Sequence, residues 1–247
     1  IDGLTFAMSF ITLLFVKARR LSSDEDDAQD AEKSTKSMFG EVKEAVRWVW
    51  SVPAIRLGFI GIAILEFFFQ TPIFVGLPAL AKTRFLEPAY VYGLIIAAYG
   101  VGAVLGSVVG GSTKGPKPEN FVRVMFFVFI GSGAAIGLIV IYPPYWFAMV
   151  LFLCSGFADS YIWVQFTTLV QKATPEKLQG RVMSIVMFMS VGLIPIASVI
   201  MGIAFEWNLE LSLMIASGII VVSCLVAAMH PDSKKIPALD ETTKAAA

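Results

Sequence analysis

The sequence predicts an all-α membrane protein. Apolar residues make up 57% of the chain and charged residues only 15%; a soluble domain is nearer half and a quarter. The apolar residues gather into blocks of about 20, the length that crosses a hydrocarbon core about 30 Å thick. The lysines and arginines fall almost wholly in alternate gaps between these blocks, as they do where cytoplasmic loops retain them. Helices suit such blocks because a chain in lipid must satisfy its own backbone hydrogen bonds. Runs such as "VMFFVFIGSGAAIGLIVIY" do not alternate, which argues against barrel strands.

Seven apolar segments can be counted, at 1–16, 54–80, 91–112, 121–142, 145–171, 181–205 and 208–229. The first is short for a span and carries Asp2 at its start, so it reads as the end of a span cut within a longer chain. No signal peptide is visible, because the chain opens "IDGLTFAMSF" without a basic leader. Residues 17–53 read as a cytoplasmic linker. Its first part, "LSSDEDDAQDAEKSTKS", is acidic and polar and reads as a solvated, flexible stretch rather than a metal site. From Met38 the character changes. Phe39, Val42, Val46 and Val49 share a helical face, and Trp48 and Trp50 favour the headgroup layer. A short helix lying on the inner leaflet is expected there; an ordinary helix packed on the linker is the plain alternative.

The domain from 54 to 230 reads as six helices, followed by a cytoplasmic tail at 231–247. Seventeen of the 19 Lys and Arg residues lie on one side of the resulting topology, and only Lys82 and Arg84 on the other. The C-terminus is therefore expected inside, in the plasma membrane. "TPEKLQGRVMSI", at 174–185, becomes a cytoplasmic loop in which Thr174 is placed to cap a short helix, Pro175 to open it and Gly180 to end it. Ala98, Gly102, Gly106 and Gly110 recur every four residues, a face on which two helix backbones can approach closely. Pro72, Pro78, Gly192 and Pro195 suggest kinks. Cys154 and Cys224 read as small core residues, and His230 as a solvated terminal residue. Zero net charge gives no basic stripe for nucleic acid. No metal or cofactor is expected. No span combines a nucleophile, a base and an orienter, so an enzyme is not expected either.

Away from the ends of the spans only two ionisable residues remain, Glu66 and Asp159. Each lies about 18 Å along its helix from the inner surface, near the midplane. Charge at that depth is costly and marks a functional candidate. With no Lys or Arg at that depth, each must face water or carry a proton. The plain alternative is a protonated carboxyl bonded to a neighbouring helix. Gln70 shares the face of Glu66 at i+4, and Ser155 and Trp163 share the face of Asp159, so all five are candidate cavity residues. For Gln70 and Gln165, hydrogen bonding between helices is the simpler reading.

At this point the residues resemble a known family. "TPEKLQGRVMSI" is similar to the loop between the tenth and eleventh spans of major facilitator superfamily exporters, most closely the branch of siderophore exporters and macrolide-type efflux proteins. Pro175, Leu178, Gly180, Arg181 and Val182 match that pattern; Gln179 departs from its usual Arg. "GSTKGPKP" stands where a loop often carries Gly, Asp and Arg, and Thr113 and Lys114 depart from it. The resemblance implies a major-facilitator-type bundle, with segment one as the end of span six and a missing N-terminal half of the same chain as a partner. It puts Glu66 and Asp159 on cavity-lining spans seven and ten. It also implies proton-coupled export of an amphipathic small molecule by alternating access, with Pro175, Gly180 and Arg181 serving conformational change. The alternatives are a seven-helix receptor or pump, and a membrane fragment that does not transport. A retinal-type pump needs a lysine in its last span, and 208–229 has none.

Overall fold

A computed structural model describes residues 30–116, 118–141 and 144–229. The expectations for segment 1–16, the start of the linker, His230 and the tail lie outside these residues. The chain divides into two units, Ile1–Gly40 and Glu41–Ala247. Of the first, only the opening of helix α1 (Asp30–Ser51) is described. That helix begins earlier than the linker reading allows. Ala, Glu and Lys at 31–33 are strong helix formers, and they outweigh the polar character of the stretch.

The second unit is built of helices, with no strand among its described residues. Helix α2 (Pro53–Leu65) runs through π-helical turns at Glu66–Gln70 and Pro72–Gly76 into α3 (Leu77–Arg84). Together they make one span, Ile55–Arg84. Next come α4 (Pro88–Ser112), α5 (Pro118–Ile141) and α6 (Tyr145–Ala173). Helix α7 (Glu176–Met187) passes through a π-helical turn, Phe188–Gly192, into α8 (Ile194–Met229). Five stretches are long and apolar enough to cross a membrane, and the last, Glu176–Met229, holds 54 residues. At about 1.5 Å per residue that is about 80 Å, far more than one crossing needs.

Asn208 divides this last stretch. Its backbone is extended, at φ −161° and ψ 105°. Its side-chain oxygen accepts the Leu211 N–H at 3.0 Å, so it caps the helix that follows. Ser212 then donates to the Ala204 carbonyl at 2.7 Å. Those two residues would stand about 12 Å apart along an unbroken helix, so the chain reverses here. The second unit thus holds six helical stretches, each long and apolar enough to cross a membrane. Their boundaries agree with the six apolar segments to within a few residues, except that Lys82 and Arg84 fall in the last turn of α3 rather than in a loop.

The prolines explain the π-helical turns. Pro72, Pro78 and Pro195 each follow one of the three turns by two or three residues. A proline removes an N–H, and its ring presses on the carbonyl four residues earlier; a widened turn relieves both. The Thr71 N–H accordingly reaches the Glu66 carbonyl, and the Leu77 N–H reaches that of Pro72.

Helices α4 and α6 pack backbone to backbone. A Cβ at Gly102 would strike the Leu153 carbonyl, one at Gly106 the Phe157 carbonyl, and one at Gly156 the Tyr99 carbonyl. Ala98 and Gly110 are buried on the same face of α4. At the C-terminal end of α4 Gln165 donates to the Gly110 carbonyl at 2.7 Å and to that of Thr113 at 3.3 Å. These carbonyls have no partner within α4, so a neighbouring helix satisfies them. At the other end Arg84 ties three elements together. It donates to the Ile139 carbonyl at 3.1 Å and pairs with Glu210 at 2.6 Å.

Two local expectations fail. Thr174 does not cap α7, because its hydroxyl bonds back to the Val170 carbonyl at 2.6 Å. Pro175 holds the cap position instead, and the Leu178 N–H bonds to its carbonyl at 2.9 Å. Gly180 does not end the helix, which continues to Met187; the apolar face of Leu178, Val182 and Val186 packs into the core and carries the helix past it. Of the two cysteines, Cys224 is buried but Cys154 is exposed on α6.

Candidate functional site

Asp159 sits at the middle of α6 and is 8% exposed. Burial of a carboxyl among helices demands hydrogen-bond partners. Ser132 of α5 supplies one, its hydroxyl lying 2.7 Å from Asp159 Oδ1. The same hydroxyl is 3.3 Å from the Val128 carbonyl. One hydrogen serves one acceptor, so the pair suits two protonation states. With Asp159 ionised, Ser132 donates to the carboxylate. With Asp159 protonated, the acid donates to Ser132, and Ser132 donates to Val128.

Tyr99 of α4 lies against the same carboxyl. Gln70 donates to the Tyr99 oxygen at 3.3 Å, which leaves the phenol hydrogen free to point at Asp159. Two buried atoms of this cluster, Gln70 Oε1 and Asp159 Oδ2, have no partner among the described residues. Such atoms are rare in folded proteins and call for a reason.

Glu66 reaches this place from the first π-helical turn. It is half-buried. Both acids line one small pocket, with Trp163, Phe129, Phe166, Ile62, Leu65 and Ile162 as the other walls. No lysine or arginine lines it. The walls are apolar and aromatic, and the only ionisable groups are acids. A second small pocket between Pro72, Ile136, Phe152 and Leu213 has only apolar walls apart from backbone, so it offers nothing to orient a polar ligand.

The structure therefore brings Glu66, Asp159 and Trp163 together and joins Gln70 to them through Tyr99. Ser155 is buried one turn from Asp159 but does not line the pocket. Tyr99 and Ser132 are new members. Pro175, Gly180 and Arg181 lie apart, at the start of α7: Gly180 is exposed and Arg181 half-buried.

A bundle of membrane-length helices with two carboxyls in one apolar pocket fits a membrane transporter. The chain belongs to the major facilitator superfamily, in the family described as transmembrane secretion effector, whose profile matches residues 3–246. No curated protein and no solved structure matches it. The protein is thus an integral membrane transporter, and the seven-helix receptor reading gives way.

Proposed function

We propose that the protein is a proton-coupled exporter of amphipathic small molecules, of the drug or siderophore class, working by alternating access. The observation that carries this is the convergence of Glu66 and Asp159 on one aromatic-walled pocket without a cation. Two carboxylates so close in a low-dielectric space repel each other, so a proton or a cationic substrate is favoured there. Binding of one displaces the other, and that is the elementary step of exchange. Ser132 and Tyr99 hold Asp159 in either state, while Trp163, Phe129 and Phe166 offer faces to an aromatic or cationic ligand. The six helical stretches correspond to half of the twelve-span architecture, so the cavity is completed by an N-terminal half in the plasma membrane. The two halves rock about the pocket, with the C-terminus inside. Pro175, Gly180 and Arg181 serve that motion, and Arg181→Ala is expected to slow turnover while sparing substrate binding.

The test uses the full-length transporter in vesicles loaded with ethidium, an amphipathic aromatic cation. Asp159→Asn should abolish uphill, proton-driven movement and spare downhill exchange. Glu66→Gln should show a milder loss. If both variants pump uphill as the wild type does, with an unchanged pH profile, the carboxyls are structural and the reading fails.

A further inference from the structure

The last ten residues of α1 carry an apolar row that no described residue covers. Val42, Val46 and Trp50 are 46%, 41% and 53% exposed, while Ala45 and Val49, on the adjoining face, are fully buried in the bundle. At about 100° per residue, the exposed row spans an arc of about 80°. Lys43 and Arg47 occupy the next arc, beyond Trp50, and both are exposed. Neither has an ion-pair partner among the described residues. Glu44 lies on the far side of the helix, next to Ser51. In angular order, then, the helix shows a buried face, an exposed apolar row, a cationic row and a polar back.

The position of the helix says what covers the row. Trp50 comes only five residues before Ile55, the first residue of a membrane span. The row therefore stands at the membrane boundary. A tryptophan at that level favours the headgroup layer, and basic side chains flanking an apolar row meet the phosphates above it.

We infer that Val42, Val46 and Trp50 seat in the bilayer surface beside the first span, and that Lys43 and Arg47 select anionic headgroups. The occupant is an anionic lipid surface. The seat would make the segment leading into the Glu66 helix sensitive to lipid charge. Each basic residue near such a surface is worth about fivefold in binding, so reversing both charges costs well over tenfold in docking.

The experiment uses the full chain with Cys154→Ala, which removes the exposed thiol; Cys224 is buried. Val46→Cys is labelled with an environment-sensitive fluorophore. The protein is placed in phosphatidylcholine bilayers, or in equal parts phosphatidylcholine and phosphatidylglycerol. The inference predicts a blue-shifted emission and about fivefold or more protection from an aqueous quencher in the anionic bilayer only. High salt should weaken the protection, and Lys43→Glu with Arg47→Glu should remove it. Equal emission in the two bilayers, or protection that survives charge reversal, overturns the inference.

Discussion

Gly106 and Gly111 lie on the same helix, and replacing each by alanine should have opposite effects. Both replacements gain helix propensity, about 1 kcal/mol. At Gly111 the new methyl meets nothing within 4 Å. At Gly106 it meets the Phe157 carbonyl, which is backbone and cannot rotate away. Helices α4 and α6 must part there, and the contacts made on either side at Gly102 and Gly156 weaken with them. Overpacking of this kind costs about 1–3 kcal/mol. The propensity gain is at least as large at Gly106, inside the helix, as at Gly111 in its last turn, so a lower midpoint for Gly106→Ala reports the clash. At about 2–4 °C per kcal/mol, Gly106→Ala should unfold several degrees below Gly111→Ala. Buried Cys224 provides the assay: in a Cys154→Ala background its reaction with a fluorogenic maleimide on heating reports unfolding. Equal midpoints for the two variants would refute close backbone packing of α4 on α6.

Two further outcomes are expected. Leu86 is fully exposed between α3 and α4, so Leu86→Cys should be labelled from outside intact cells. Lys114→Cys should be labelled only from inside, and the reverse pattern would overturn the orientation. Arg84→Ala should destabilise more than Glu210→Gln in the same thermal assay. Glu210 is 57% exposed, so its ion pair is worth under about 1 kcal/mol. Arg84→Ala also leaves the Ile139 carbonyl without its donor; equal losses would deny that bond any weight.

The six helical stretches were legible because lipid imposes length and apolarity on each of them. So were Glu66 and Asp159, because a carboxyl inside an apolar run stands out by charge alone. Their meeting in one pocket was not legible. It depends on how α2 and α6 are rotated about their axes, and no spacing within either helix reports that. Tyr99 and Ser132 escaped for a related reason: single hydroxyls are common in membrane helices, where they often bond to their own backbone. The one sequence cue to Tyr99 was its place beside Ala98, at the head of the glycine face. The prolines signalled irregularity correctly, but not that it would take the form of widened turns beside Glu66. Gly180 misled because a glycine ends a helix only when no apolar face carries the helix onward.

The central claim is that a carboxyl in the Glu66–Asp159 pocket gains and loses a proton in the working protein. The most direct measurement is the infrared difference spectrum of the reconstituted full-length transporter as bulk pH is switched between acid and alkaline. The carboxyl C=O stretch reports each acid as it takes up a proton, free of any assumption about substrate. The account predicts a carboxyl band that shifts in heavy water and is lost in Asp159→Asn or in Glu66→Gln. A spectrum unchanged by either substitution would contradict it.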